Sequence, residues 1–486
     1  DRPSYRTAAP MTDFDARALA ASLEEILGSD RVLHGPEARR RHPGDMSWLT
    51  YVHAQHGRPL NGQDVVASPR STREVADVLK LAARLKVPVT PAGGASGVQG
   101  AANATCGGIL LDLRSMTRVR NLDRRSLTCT VEAGMITARL QEHAAARGLV
   151  YAVDFASAGS SHIGGNIATN AGGIKVIRYG MTRDQVLGLK VVDGRGEVLD
   201  LNRGLVKNNT GPDLRHLFVG SEGILGIITE ATLALRNAPG PQDVMLLAVR
   251  DFVSIIDVLR VFTRGSTLGA FEFFGHNGLE RVLERLQRKA PLAVAAPFYV
   301  LLEFEHEGAD ATDRAMRLFE QCVEAGWVTD GVLGQSVAQA RELWLLRESM
   351  SETLARWQPY KNDIGLRVSA LPAFIERAQA LVEPRRTLLE VVWYGHVGDG
   401  NLHLNVLKPE TMPGAEFAGF CSRATREIAA LVRDCGGSVS AEHGVGLLKK
   451  HILEYTRSRA EIEALRQIKR VFDPAGIMNP GKVFDP

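Results

Sequence analysis

The chain has 486 residues, 45% hydrophobic and 23% charged, with a formal net charge of +3; at about 150 residues per domain it is too long for one core. Near-balanced charge removes the electrostatic case for a nucleic-acid partner, and no run of about eighteen apolar residues is present to span a membrane. Five cysteines without CxxC spacing (Cys106, Cys129, Cys322, Cys421 and Cys435) argue against a disulfide framework or thiolate metal site, and point to a reducing, cytoplasmic compartment.

Residues 1–10 precede Met11, lack an apolar signal core and are set aside as a short extension. Thr12 to Leu27 carries Leu19, Leu23, Ile26 and Leu27 at helical spacing before Gly28, which predicts an amphipathic helix inside an N-terminal lead-in, residues 11–63. Val65–Ser68 reads as a strand, Ser71-Thr72-Arg73-Glu74 as a capping box opening a helix, and Val87–Thr90 as a returning strand. This β-α-β unit runs into Pro91-Ala92-Gly93-Gly94-Ala95-Ser96-Gly97-Val98-Gln99-Gly100, where missing Cβ atoms would let backbone N–H groups approach a phosphate. A flexible turn is the plain alternative. The spacing is not G-x-G-x-x-G, which disfavours a nicotinamide dinucleotide site.

A second glycine-rich stretch, Gly159 to Gly173, is also rich in small donors, and two such loops in one domain suit an extended ligand with a diphosphate. His162 within it reads as a local hydrogen-bonding residue. A hairpin follows around Asp193-Gly194, then the turn Gly220-Ser221-Glu222-Gly223 and a β-rich run, Ile224–Leu235, before Pro239-Gly240-Pro241 breaks the chain.

Beyond that break, strands Val244–Val249, Ala270–Phe274 and Phe298–Phe304 alternate with helices, which suggests an antiparallel sheet covered on one face. Leu388–Tyr394 reads as a buried strand and Leu402–Val406 alternates, so His403 and Asn405 share a face. Glycines 395, 398 and 400 would let the intervening loop bring His396 near His403. With a carboxylate from Ser440-Ala441-Glu442-His443-Gly444, these histidines form the donor set of a catalytic divalent site with a base beside it. Taken singly, each would be an ordinary hydrogen-bonded or solvated group. Ala460–Val471 reads as a helix and Asp473–Lys482 as a kinked polar tail.

In this order, the two glycine loops, the Gly-Ser-Glu-Gly turn and the histidine set resemble the flavin-dependent D-2-hydroxyacid dehydrogenases of the vanillyl-alcohol-oxidase superfamily, from about Asp64 to Lys482. The resemblance implies an α+β fold. A two-subdomain FAD-binding domain of VAO/PCMH type would occupy 64–238, an antiparallel-sheet, ferredoxin-like substrate and metal domain 242–455, and a helical segment returning to the FAD 456–486. It implies FAD contacts at Pro91, Gly93, Gly94, Ala95, Ser96, Gly97 and Gly100, and at Gly159, Ser160, Gly164, Gly165, Asn166, Thr169, Asn170, Gly172 and Gly173. Glu222, Gly223, Ile228 and Asn479 are implied as further FAD neighbours. The flavin is expected to be non-covalent because Pro91–Gly100 holds neither His nor Cys; Cys106, just beyond, is the one residue against this.

The resemblance also implies zinc ligands His396, His403 and Glu442, a catalytic base at His443, and a substrate contact at Asn405. Arg347 resembles the substrate-carboxylate arginine, Ser351 stands where the family has a threonine, and the two are expected on one helix face. Lys361 lies in a segment resembling that of the hydroxyglutarate-oxidising members. Two cations beside one metal suit a dicarboxylate. The implied reaction is metal-assisted oxidation of D-2-hydroxyglutarate to 2-oxoglutarate, with hydride passing from C2 to FAD and electrons onward to an electron-transfer flavoprotein or quinone. A homodimer is the expected assembly. D-lactate, D-malate or another 2-hydroxy acid is the alternative substrate; a zinc hydrolase and a non-catalytic flavin-binding module are the alternatives of other classes.

Overall fold

The structure is a computed structural model describing residues 14–55, 57, 60–308, 310–382 and 389–485. The expected extension through Met11, Thr12 and Leu388 lie outside these residues. The described chain forms two compact units. The first comprises the residues up to Gly172, Gly180–Ala238 and those from Glu442; the second comprises Gly173–Tyr179 and Pro239–Ala441. No described helix is long and apolar enough to cross a membrane, and all five cysteines are free thiols.

In the first unit the opening helix, Ala16–Leu27, is capped by Asp15, whose Oδ1 accepts the Arg17 N–H at 2.8 Å. Leu19, Leu23 and Leu27 pack into one core with Val75, Val78 and Leu79 of the helix Thr72–Leu85. The segment read as a mere lead-in is structured: β1 (Val32–His34) pairs antiparallel with β2 (Val65–Ala67), and helices Gly35–Arg41 and Trp48–Gln55 lie between them. A three-residue strand is too short to show a period. At the capping box, Ser71 Oγ accepts the Glu74 N–H at 3.2 Å, while Glu74 turns to the Arg70 N–H at 2.6 Å and to Arg31.

The returning strand is β3 (Val89–Ala92), and β4 (Ile109–Asp112) inserts between β2 and β3, parallel to both. The first glycine loop is therefore the start of the crossover from β3 to its neighbour. The next strands are β5 (Val119–Asp123), β6 (Thr128–Glu132), β7 (Leu149–Val150), β8 (Val186–Asp193), β9 (Val198–Leu201), β10 (Gly226–Ala234) and β11 (Arg236–Asn237). β7 pairs with β11, and the others form an antiparallel sheet in the order β5-β6-β10-β8-β9, with β8 and β9 as the expected hairpin. After the helix Arg459–Phe472 the tail adds to β3: Val89 N–H donates to Ile477 O and Asn479 N–H to Val89 O, both at 2.8 Å.

The second unit is built on β12 (Gln242–Val249), β13 (Leu268–Gly275), β14 (Phe298–Glu305), β15 (Val328–Leu333), β16 (Tyr360–Gly365), β17 (Glu390–Gly395) and β18 (Asn401–Leu407). They form one antiparallel sheet in the order β15-β12-β14-β13-β17-β18-β16. Both faces are covered, where the sequence suggested one. Every residue of β13 and β18 is buried. Phe274 shares a core with Leu279 and Leu346 from the helices His276–Leu286 and Val337–Glu348, while Phe273 meets Phe252 of the helix Phe252–Gly265 edge-on at 5.2 Å.

Candidate active site

In the second unit, His396 follows β17 and opens the short turn Val397–Asp399 that leads into β18. The turn folds back tightly: a Cβ on Gly395, whose φ is +159°, would lie 2.4 Å from Asn401 O. His403 pairs with Tyr394 across the β17–β18 register, and the His396 and His403 rings stand 5.4 Å apart at 84°. Both are buried. His396 Nδ1 lies 2.8 Å from Glu272 Oε1, and His403 Nδ1 3.8 Å from Asp363 Oδ1. For His396 the hydrogen-bonded carboxylate fixes the tautomer and leaves Nε2 as the nitrogen suited to a metal, whereas the carboxylate near His403 lies beyond hydrogen-bonding distance. Two buried imidazoles side by side fit a borderline divalent cation such as zinc.

Sequence reasoning missed Glu272 and gave Asp363 no role. The signal for Glu272 was an acid in mid-strand between Phe271 and Phe273, since a buried carboxylate demands a partner. Asn405 lies on the same face of β18 as His403, as expected, and its buried Nδ2 has no hydrogen-bond partner among the described residues. Arg347 is buried too: Nη2 lies 2.8 Å from Glu272 Oε2, Nε has no hydrogen-bond partner, and the guanidinium carbon stands 4.9 Å from the Tyr394 ring centroid. Part of the fork expected for substrate is therefore already committed.

Arg347 and Ser351 do not share one uninterrupted helix. The helix Val337–Glu348 ends at Ser349, whose ψ of −10° opens the turn, and a five-residue helix, Met350–Leu354, carries Ser351. Arg347 is buried and Ser351 exposed, yet Lys361 Nζ reaches Ser351 Oγ at 3.3 Å.

The first unit holds the two glycine loops face to face. A Cβ on Gly94 would lie 1.9 Å from Ser160 O, and one on Gly93 would lie 3.1 Å from His162 Cβ, whereas Gly97, Gly159 and Gly165 have nothing within 4 Å of a Cβ position. His162 is buried, its Nδ1 has no hydrogen-bond partner among the described residues, and burial lowers its pKa, which favours the neutral imidazole. Asn479 Oδ1 is a second buried acceptor without a partner. Ala95, Asn170, Glu222 and Asn479, none of them glycine, all adopt positive φ. Bare glycines on the facing loops, with orphaned polar atoms and positive-φ residues on those loops, on the turn at 220–223 and on the tail, fit an extended polar cofactor such as FAD.

Other expected FAD neighbours have protein partners. Asn166 Nδ2 donates to Thr137 Oγ1 at 2.6 Å, Thr169 Oγ1 to Gly165 O at 3.0 Å, and Asn170 Oδ1 accepts the Arg183 N–H at 2.9 Å. Ile228 belongs to the apolar core with Ile224 and Leu225. The Glu222 carboxylate accepts the N–H groups of Val445 and Gly446 at 2.7 and 2.8 Å, and Glu222 O accepts from Asn479 Nδ2 at 2.7 Å, so this turn ties the tail to the segment that follows His443. Just before that segment, His443 Nε2 lies 3.2 Å from Glu442 Oε1. The buried Cys106 thiol donates to Pro480 O at 3.7 Å.

Residues 63–202 match the FAD-binding-domain family, and residues 238–483 match the C-terminal domain of the FAD-linked oxidases. The chain is 48% identical to D-2-hydroxyglutarate dehydrogenase of Stutzerimonas stutzeri, covering 86% of this chain and 90% of that one. It is 36% identical to the mitochondrial D-2-hydroxyglutarate dehydrogenase of Bos taurus, over 96% and 83%. Among solved structures, 4-ethylphenol oxidase of Gulosibacter chungangensis superposes with a TM-score of 0.74 at 16% identity, covering 98% of this chain and 99% of that one. p-Cresol methylhydroxylase superposes with a TM-score of 0.75 at 14% identity over the same shares, which establishes the VAO/PCMH-type fold. With FAD-binding and FAD-linked-oxidase domains covering most of its length and relatives this close, the chain is an FAD-dependent oxidoreductase of the D-2-hydroxyglutarate dehydrogenase family.

Proposed function

We propose that the chain oxidises D-2-hydroxyglutarate to 2-oxoglutarate with non-covalent FAD and a divalent cation, zinc being the expected one. The observation that carries this reading is the buried pair His396 and His403, each with a carboxylate facing Nδ1, beside the unsatisfied Asn405 amide. Glu442 is the proposed third ligand. Its support is connectivity: Ser438 bridges to Gly365 and Ser440 Oγ lies 3.5 Å from Asp363 Oδ2, so the chain is pinned beside the carboxylate facing His403 until Ala441, one residue earlier.

When bound, FAD supplies two-electron acceptor chemistry and the cation supplies Lewis acidity toward a hydroxyl and carboxylate. Arg347 holds one substrate carboxylate and Lys361, steadied by Ser351, the other; Asn405 donates to a substrate oxygen. His443 takes the 2-hydroxyl proton as the C2–H bond gives up hydride and the carbonyl forms. Electrons then leave to a carrier other than NAD, an electron-transfer flavoprotein or a quinone. The names of the relatives favour hydroxyglutarate over D-lactate or D-malate, and Lys361 is the residue suited to a second carboxylate.

Flavin absorbance after anaerobic mixing with D-2-hydroxyglutarate tests the reading. Bleaching that prior chelation abolishes and zinc restores is expected. Bleaching untouched by chelation would remove the metal, and bleaching by D-lactate alone would remove the substrate. His443→Ala should keep its flavin and lose about 10²- to 10⁴-fold in kcat; turnover at the parent rate would remove the base.

A further inference from the structure

Glu272 is one carboxylate with two clients. Its Oε1 lies 2.8 Å from His396 Nδ1 and its Oε2 2.8 Å from Arg347 Nη2, and the side chain is 1% exposed. A buried ionised carboxylate needs a compensating partner. Here Oε1 is hydrogen-bonded to the His396 imidazole, whereas Oε2 has no hydrogen-bond partner among the described residues and is held by its ion pair with Arg347, so the two contacts belong to two different tasks. The Arg347 guanidinium also stands near the Tyr394 ring, and that ring lies 5.0 Å from His403. From these contacts we propose that Glu272 is a positioning residue that couples Arg347, the substrate-carboxylate arginine, to the metal ligand His396, so that metal affinity and substrate affinity are set through one shared carboxylate. This rests on the function proposed above.

The consequence is that a residue which is no ligand controls the metal. Zinc affinity of the FAD-loaded chain, measured by competition with a chromophoric chelator, reads this without turnover. Glu272→Gln should weaken zinc binding by about 10- to 100-fold. At saturating zinc it should also raise KM for D-2-hydroxyglutarate more than it lowers kcat. Arg347→Met should shift zinc affinity by about threefold or more, and the same replacement in a Glu272→Gln background should shift it no further. Zinc affinity unchanged in Arg347→Met overturns the coupling, as does an equal shift in both backgrounds. If Glu272→Gln fails to fold, judged by melting and flavin absorbance, the Arg347→Met arm decides alone. A parent chain that binds no zinc sinks the metal reading itself, an outcome seen before any variant is made.

Discussion

Glu222 is fully buried, its carboxylate oxygens turned to two backbone N–H groups, and burial outweighs those bonds and pushes its pKa up to about 7. A carboxyl whose folded pKa is raised favours the folded state when protonated. Its contribution is complete below the ordinary value of 4.5 and is lost as pH rises through about 7. A shift of this size corresponds to roughly 3 kcal/mol. Melting of the flavin-free chain should therefore weaken across that window, and Glu222→Gln should flatten the profile; parallel profiles for parent and variant would contradict the assignment. What could be read at this scale followed local geometry. His403 and Asn405 were legible as one strand face because a strand has period two. Glu272 was not, because its partner His396 lies 124 residues away and no local rule joins them.

At the scale of elements, the facing glycine loops separate two reasons for a glycine. Gly94→Ala drives a Cβ into a backbone carbonyl. It should lower the melting temperature of the flavin-free chain and leave a purified protein without yellow colour. Gly97→Ala meets no protein atom, so flavin-free melting should match the parent, and any lost FAD affinity would report crowding of the cofactor itself. Matching flavin-free melting for Gly94→Ala would contradict the close packing. The long helices were legible because apolar residues recur over several turns, as in Ala16–Leu27 and Thr72–Leu85. β1 was not, and neither was β4 between β2 and β3, since pairing partners leave no mark on a short apolar run.

At the scale of the molecule, the first unit is discontinuous in sequence. Pro239-Gly240-Pro241 opens the longer of the second unit's two segments, Pro239–Ala441, and glycine and proline mark breaks of this kind. The return after Ala441 carries no compositional mark. The tail is integral to the first sheet, through the Val89 bonds and through Asn479 Nδ2, which donates to Ala101 O at 2.9 Å. A chain ending at Phe472 should thus melt several degrees lower in its first unit and lose FAD; unchanged melting would show the tail to be dispensable.

That closure has a cost in time during synthesis. Ala101 and Asn479 are 378 residues apart, so at about 5–20 residues per second the ribosome needs roughly 20–75 s to deliver the tail after the glycine loop has emerged. Throughout that interval the edge of β3 is unpaired at Val89, an edge open to other chains. The nascent protein is thus at its most aggregation-prone while its second unit is being made, and slowing translation after residue 238 should lower the soluble yield.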